Sequence, residues 1–150
     1  MKRVFLGCDH AGVAVRAAIV KLIESLGGHE VVDLGTVGDQ SVDYPEFAVR
    51  VARRVAAGEG LGILVCGSGI GMSIAANKIA GVRAAVVWDV TTARLSRLHN
   101  DANVLCLGSR LLGPEVMVEA VRTWLTTVFE GGRHERRVAM LRQLDQERPK

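Results

Sequence analysis

The sequence is poor in aromatic residues, proline and cysteine, and it contains no long uncharged apolar run. Aromatic side chains make up 4% of its 150 residues, and there are three prolines and three cysteines. The apolar runs fall far short of the roughly 20 residues that a membrane-spanning helix needs, so no membrane partner is expected. No charged and apolar leader with a small-residue cleavage site precedes the first strand pattern, so a cytoplasmic location is expected.

The cysteines and the charge exclude further classes of protein. Cys8, Cys66 and Cys106 form no Cys-x-x-Cys pair and lack metal-ligand spacing, and their odd number argues against a disulfide framework. The net charge of +3 is too small to indicate nucleic-acid binding by itself. Residues 131–150 carry all of it, with six basic and three acidic side chains. We therefore expect neither a metal site nor a nucleic-acid partner.

Apolar residues and a regular alternation of patterns are what the sequence has in abundance. Hydrophobic residues make up 49% of the chain, enough for the core of one domain spanning 1–150. Short β-rich runs alternate with stretches of helical periodicity. Together they predict an α/β fold, a three-layer α/β/α sandwich with a five-stranded parallel sheet, Rossmann-like. The predicted strands are 3–7, 30–34, 61–65, 82–87 and 103–107, and the predicted helices are 15–26, 45–57, 72–78, 91–99, 114–129 and 134–146.

A glycine-rich loop follows the third predicted strand. Residues 66–71 read Cys-Gly-Ser-Gly-Ile-Gly. Glycines allow backbone N–H groups to converge on an anion, and the following helix N-terminus adds positive potential, which also makes a nearby thiol a better base or nucleophile. The alternative is a plain strand-to-helix turn, although three glycines in five residues exceed what a turn needs. The loop lacks both Gly-x-Gly-x-x-Gly and a Gly-Lys-Ser/Thr ending, so it does not match nucleotide-binding motifs.

Other polar side chains fall where such folds bind ligands, outside the carboxyl ends of the strands. Asp9 and His10 follow the first strand, and Arg110 follows the fifth. Asp9 either caps the first helix or contacts a ligand. His10 either binds an anion when protonated or donates a hydrogen bond when neutral. Arg110 is either a phosphate contact or a surface charge.

Two further groups of polar residues lie at the ends of helices. His99 and Asn100 end the fourth helix, where the helix dipole favours a histidine, but they also suit an acid–base cluster. Arg133 and Arg137 are four residues apart and share one helix face. They are either solvated charges or a phosphate site, because two guanidiniums at a helix N-terminus are unfavourable unless an anion lies between them.

Seven colinear segments resemble the ribose-5-phosphate isomerase B family, which includes related ribose and galactose sugar-phosphate isomerases. The similarity runs from residue 3 to about residue 147, and it rests on residues 7–12, 43–45, 66–71, 73–78, 95–105, 108–110 and 130–138. The resemblance implies an aldose–ketose isomerase that interconverts ribose 5-phosphate and ribulose 5-phosphate through a cis-enediolate. It also implies that no metal or organic cofactor is used.

The resemblance assigns a role to each candidate residue. Cys66 matches the general base, His99 matches the group that opens the furanose ring, and Ser68 keeps the hydroxyl of a threonine that is common in relatives. Asp9, counted with these three as catalytic, orients the sugar hydroxyls together with Tyr44 and Asn100. The backbone of the glycine loop is matched to the enediolate oxygen, and basic side chains are matched to the phosphate. These two sets are Gly67, Gly69, Ile70 and Gly71 for the loop, and His10, Arg110, Arg133 and Arg137 for the phosphate, with His134 as an addition.

The resemblance also implies a homo-oligomer, a dimer or a tetramer, with an active site shared between subunits. The His99 segment and Arg110 are expected to reach the neighbour's site. The helix from about residue 134 is expected to contribute to the phosphate site and to subunit contacts.

Three other functions stay open. The first is isomerisation of another aldose phosphate, such as allose or galactose 6-phosphate. The second is a non-catalytic sugar-phosphate sensor, which would keep the arginines and lose the base. The third is a flavodoxin-like nucleotide or flavin binder, against which the failed nucleotide motif argues. The sequence also leaves open whether Trp88 contacts ligand or a neighbouring subunit.

Overall fold

Strands and helices alternate along the chain in the computed structural model, which describes residues 1–149. All strand pairs are parallel, in the order β2-β1-β3-β5-β4, which confirms the predicted fold class. The strands are Lys2–Cys8 (β1), His29–Asp33 (β2), Gly60–Cys66 (β3), Ala84–Val86 (β4) and Val104–Gly108 (β5). The helices are Val13–Leu26 (α1), Tyr44–Ala56 (α2), Ile70–Ala76 (α3), Val90–Asn100 (α4), Pro114–Thr126 (α5) and Arg133–Gln146 (α6), and a 3₁₀ turn at His10–Gly12 precedes α1. Within residues 1–149, no helix combines the length and the apolar character that crossing a bilayer requires.

Two apolar clusters, one on each face of the sheet, form the core. Side chains of a strand alternate between faces, so neighbouring residues of β1, β3 and β5 belong to different clusters. Leu6 and Ile63 pack on one face with residues of α1 and α5, including the fully buried Trp124. Phe5 and Leu64 pack on the other face with residues of α2 and α3. The result is the predicted α/β/α layering.

Strand β4 is shorter than the predicted 82–87. Val82 donates its N–H to the carbonyl of Ile79 in a turn, and the N–H of Arg83 bonds to the side-chain oxygen of Asn103 at 2.7 Å. These two backbone N–H groups therefore already have hydrogen-bond partners before β4 begins to pair with β5. The outer side of this edge strand is satisfied by Asn77, whose amide bonds both the N–H and the C=O of Ala84 at 2.8 and 2.9 Å.

Helix α5 stops at Thr126, three residues before the predicted end. The hydroxyl of Thr126 donates to the carbonyl of Arg122 at 2.9 Å, and that of Thr127 donates to the carbonyl of Thr123 at 2.6 Å. Threonine hydroxyls compete for helix carbonyls in this way, and Thr127 itself is extended. Residues 127–132 therefore form a loop that leads into α6.

Helix α4 carries the chain from the carboxyl edge of the sheet to the amino edge. It begins after β4 with a capping box, in which the Asp89 carboxylate accepts the N–H of Thr92. It ends with Asn100, whose carbonyl accepts the Nε–H of Arg83 at 3.2 Å. Arg83 directly precedes β4, so the last turn of α4 lies at the amino edge. Helix α6 packs against α4 and reaches the same edge, where the Asp145 carboxylate accepts the N–H of Gly81 at 2.8 Å.

Candidate functional site

A cavity of ≈ 330 Å³ lies at the carboxyl ends of β1, β3 and β5. Seven of its eight lining residues are candidates from the sequence. The eighth, Leu111, is an exposed apolar residue after β5, and no motif marks it. The lining residues are Asp9, Tyr44, Cys66, Gly67, Ser68, Gly71, Arg110 and Leu111.

The Cys66 thiol lies at the end of β3 with only 5% of the residue exposed. Its sulfur accepts the backbone N–H of Gly69 at 3.1 Å. This approach depends on a left-handed turn at Gly69, where φ is +78°, and a Cβ there would lie 2.9 Å from the carbonyl carbon of Leu107. Only glycine takes this conformation and this space without strain. The loop thus aims a backbone donor at the sulfur, as a reactive thiolate requires.

The other two cysteines are isolated from the cavity. Cys8 and Cys106 are completely buried, and burial raises the pKa of both thiols. For Cys106 the neighbouring Cys66 adds to this rise. Of the three free cysteines, Cys66 is the one that lines the cavity.

Ser68, Gly71 and Tyr44 form one wall of the cavity. The hydroxyl of Ser68 accepts the N–H of Ile70 at 3.2 Å. The Tyr44 ring lies directly over Gly71, where an added Cβ would come within 2.6 Å of its Cζ atom. Gly69 and Ile70 do not line the cavity themselves, and their backbone N–H groups donate to the Cys66 sulfur and to the Ser68 hydroxyl.

Arg110 lies in the cavity of its own chain. Its backbone N–H donates to the carbonyl of Gly67 at 3.0 Å, and its guanidinium covers Gly67 so closely that a Cβ there would be 3.2 Å from Nη1. The expectation that Arg110 reaches the neighbour's site is therefore not what the structure shows. The Arg110 side chain thus lines the same cavity as the thiol within one subunit.

Asp9 both caps the 3₁₀ turn and lines the cavity. One of its carboxylate oxygens accepts the N–H of Ala11 at 2.9 Å, and the residue is buried. His10, the next residue, does not line the cavity. Its Nδ1 accepts the N–H of Val42 at 3.2 Å, so the proton of the neutral ring is on Nε2.

The remaining predicted residues lie elsewhere, on the end of α4 and the start of α6. Strand β5 alone spans about 13 Å from Val104, at the amino edge, to Gly108, which pairs with Cys66. His99 lies beyond the amino end of β5, so a single chain keeps it apart from the thiol. This second group consists of His99, Asn100, Arg133, His134 and Arg137.

Two histidines and a glutamate form a cluster within this second group. The rings of His99 and His134 stack with centroids 4.2 Å apart and planes 15° apart. One oxygen of Glu130, Oε2, lies 3.8 Å from the Nε2 atom of His99 and 3.5 Å from that of His134. Burial lowers the pKa of the His134 imidazole, and so does the neighbouring His99. Glu130 is a residue that the sequence did not single out, since its contacts arise only when α6 packs on α4.

Basic side chains surround this cluster. Arg133 donates its Nε–H to Nε2 of His134 at 3.4 Å, and Arg137 follows one turn later on α6. Both arginines are exposed. This end of α6 therefore presents positive charge suited to an anion such as a phosphate.

Exposed apolar side chains lie toward the carboxyl edge of the sheet, in α3, next to the start of α4 and after β5. Trp88 is among them, with 42% of its surface exposed. Such a group of large apolar side chains is typical of a surface that another molecule covers. The group consists of Ile70, Ile74, Trp88, Val90 and Leu111.

Comparisons with known proteins identify the family of this chain. The family described as ribose/galactose isomerase matches residues 4–141. Ribose-5-phosphate isomerase B of Escherichia coli K12 is 48% identical over 150 residues, 99% of each chain. The type B ribose 5-phosphate isomerase structure from Trypanosoma cruzi superposes with a TM-score of 0.95 at 46% identity, covering 98% of this chain and 100% of that one. Ribose-5-phosphate isomerase B from Mycoplasma genitalium with bound ribulose 5-phosphate gives 0.93 at 40% identity, covering 97% of both chains. The chain therefore belongs to the ribose/galactose isomerase family.

Proposed function

We propose that this protein interconverts ribose 5-phosphate and ribulose 5-phosphate. The observation that carries the proposal is the Cys66 thiol, which has a backbone N–H directed at its sulfur and lines the same cavity as the Arg110 guanidinium. The relative from Mycoplasma genitalium, solved with ribulose 5-phosphate, supports the same substrate class.

Cys66 is the base that moves the proton. As a thiolate it removes the proton from C2 of the open-chain aldose and returns it to C1, while the hydroxyl proton of O2 passes to O1, so that the aldose becomes the ketose through an enediolate. The developing oxyanion needs donors within about 3 Å. The Ser68 hydroxyl and the backbone N–H of Gly71, at the start of α3, line the same cavity and supply them. Asp9 and Tyr44 orient the sugar hydroxyls.

His99 of a second copy opens the furanose ring. Within one chain His99 and Cys66 are separated by at least the length of β5, about 13 Å, whereas proton transfer needs about 3 Å. The site is therefore completed by a neighbouring chain, with Asn100, and the smallest working unit is a homodimer. We assign the exposed apolar side chains toward the carboxyl edge of the sheet, Trp88 included, to the surface that this neighbour covers.

The phosphate is held by basic residues of both chains. His10 and Arg110 contribute from the chain that supplies the thiol, and Arg133 and Arg137, with His134, contribute from the chain that supplies His99. Binding energy from the phosphate positions the reacting carbons against the thiol. Since proton transfers and oxyanion stabilisation suffice, the reaction needs no metal or organic cofactor. The location that we infer is the cytoplasm, where charged sugar phosphates are retained because they do not cross bilayers.

A six-carbon aldose phosphate is the second candidate substrate. It is favoured by the description of the matching family, which covers galactose as well as ribose. The chemistry at C1 and C2 is the same for both, so the two candidates differ only in the length of chain between the reacting carbons and the phosphate.

The proposal is tested by measuring ribose 5-phosphate turnover in the presence of EDTA. We expect wild-type turnover, and a loss of about 10²–10⁴-fold in kcat for Cys66→Ala, the range that a general base contributes. Cys106→Ala, the same change at a buried thiol off the cavity, is the matched control and should keep its kcat. Full activity in Cys66→Ala would exclude the thiol as base. Wild-type turnover of allose or galactose 6-phosphate, but not of ribose 5-phosphate, would move the assignment to the six-carbon substrates.

A further inference from the structure

The cluster of His99, Glu130 and His134 contains the donors of a transition-metal site. Each residue offers one ligand atom, and the three atoms lie within 4.8 Å of one another. Two imidazoles and one carboxylate are a donor set that Zn²⁺ uses in proteins, with a fourth position left for water. Sequence spacing does not reveal this set, because the three residues come together only in the fold.

The distances suit an ion better than a hydrogen bond. Oε2 of Glu130 is 3.8 and 3.5 Å from the two Nε2 atoms, beyond the usual 2.7–3.2 Å of an N–H···O bond. Ligand atoms bound tetrahedrally to Zn²⁺ at about 2.0–2.2 Å are roughly 3.3 Å apart. Both glutamate–histidine pairs are therefore within about half an ångström of that spacing, and all three ligand atoms lie within 4.8 Å of one another. Because an imidazole lone pair lies in the plane of its ring and the two rings are stacked at 15°, the more exposed His99 ring must turn before both Nε2 atoms can bind one ion.

The surrounding structure fixes two of the ligands in position and leaves the cluster accessible to an ion. His134 is only 6% exposed, so its ring is fixed by packing. The backbone N–H of Glu130 donates to the carbonyl of Leu98 at 3.1 Å, which ties the glutamate to the residue before His99. The side chains of His99 and Glu130 are 35% and 58% exposed, so an ion and a water ligand can reach the cluster. Arg133 must move its Nε from His134, and it is free to do so because it is exposed.

We propose that this cluster binds one Zn²⁺, or a chemically similar divalent transition-metal ion, and that the bound ion inhibits the isomerase. The inhibitory half rests on the proposed function. A metal bound to Nε2 of His99 occupies the lone pair that ring opening would use, so the ion acts as an inhibitor and not as a cofactor.

Binding is tested on full-length protein carrying Cys66→Ala, which removes the cavity thiol as a competing ligand. Co²⁺ titration followed by visible absorption, and Zn²⁺ titration calorimetry, should each give one site per chain. Adding Glu130→Gln, which removes the charged ligand with little change in shape, should weaken binding by about 10-fold or more. Glu135→Gln, at an exposed carboxylate on the same helix, should leave it unchanged. No saturable binding up to about 1 mM, or equal binding with and without Glu130→Gln, would overturn the site.

Inhibition is tested in protein that retains Cys66, with Zn²⁺ added and then removed by EDTA. Each variant is compared with its own rate without metal. We expect reversible inhibition of the unsubstituted chain, and an inhibition constant for Glu130→Gln that rises by the same factor as the binding constant. Equal inhibition of both chains would overturn the inhibitory role of this cluster. Binding at the cluster without any effect on turnover would leave the metal site standing and overturn the ring-opening role of His99.

Discussion

Two inactive variants, Cys66→Ala and His99→Ala, should restore activity to each other when their subunits pair. The thiol lies at the carboxyl edge of the sheet and the imidazole at the amino edge. If each active site takes the thiol from one chain and the imidazole from the other, a mixed dimer contains one site with both substitutions and one site with neither. Each parent variant lacks an essential group in both of its sites.

The size of the rescue follows from counting sites. Random pairing of equal amounts makes about half of the dimers mixed, and each mixed dimer has one intact site of two. The mixture should therefore reach about a quarter of wild-type kcat per chain, and mixed dimers purified through two different tags should reach about a half. Each parent variant alone should have a kcat about 10²–10⁴-fold below that of the wild type, because that is the contribution of one acid–base group.

The assay is ribose 5-phosphate turnover by co-expressed, differently tagged chains, with each parent purified in the same way. The matched control pairs Cys66→Ala with Asp9→Ala, because both residues line the cavity of one chain. In that mixed dimer both sites carry a substitution, so no rescue is expected. Mixed dimers of Cys66→Ala and His99→Ala that are no more active than the sum of their parents would refute the shared site.

Three further predictions concern the cavity and the core. Gly71→Ala should lower kcat/KM, because its Cβ would lie 2.6 Å from the Tyr44 ring. The control Gly113→Ala, whose Cβ would meet no atom within 4 Å, should leave kcat/KM unchanged. Equal kinetics for the two variants would show that the Tyr44 ring can move aside without cost. Iodoacetamide should alkylate Cys66 and leave the two completely buried thiols unmodified, which peptide mass analysis would measure. Modification of all three cysteines in the folded protein would contradict the packing. Trp124→Ala should cost about 3–5 kcal/mol of unfolding free energy in urea, and Trp124→Phe clearly less, because the indole Nε1 is buried with no hydrogen-bond partner among the described residues. Equal losses for the two would mean that ring volume is not what position 124 contributes.

The element order and the place of the thiol could be predicted from the sequence because both depend on local patterns. A strand, three glycines and a helical stretch identify the turn that carries Cys66, and the rule for parallel sheets places it at the carboxyl edge. For Asp9 the sequence offered capping and ligand contact as alternatives, but its carboxylate caps a turn and the residue also lines the cavity.

The second group could not be assembled from the sequence, because it depends on packing between distant segments. Glu130 meets His99 only after α6 docks on α4, and neither helical periodicity nor residue spacing encodes that contact. Arg110 was expected to cross to a neighbour, yet a backbone bond to Gly67 keeps it in its own cavity. The ends of β4 and α5 were missed because side chains of Asn103 and Thr126 compete for backbone groups there.

The opposite placement of the Cys66 thiol and the His99 imidazole on one sheet has a consequence for how the rate depends on dilution. If two chains share each site as we propose, a chain that holds half of each site has no activity by itself, and turnover per chain is set by the fraction of chains that are paired. Well below the dissociation constant of the pair, the total rate rises with the square of protein concentration and no longer in proportion to it. With such a shared site, the turnover measured per chain would depend on how much of the protein is present.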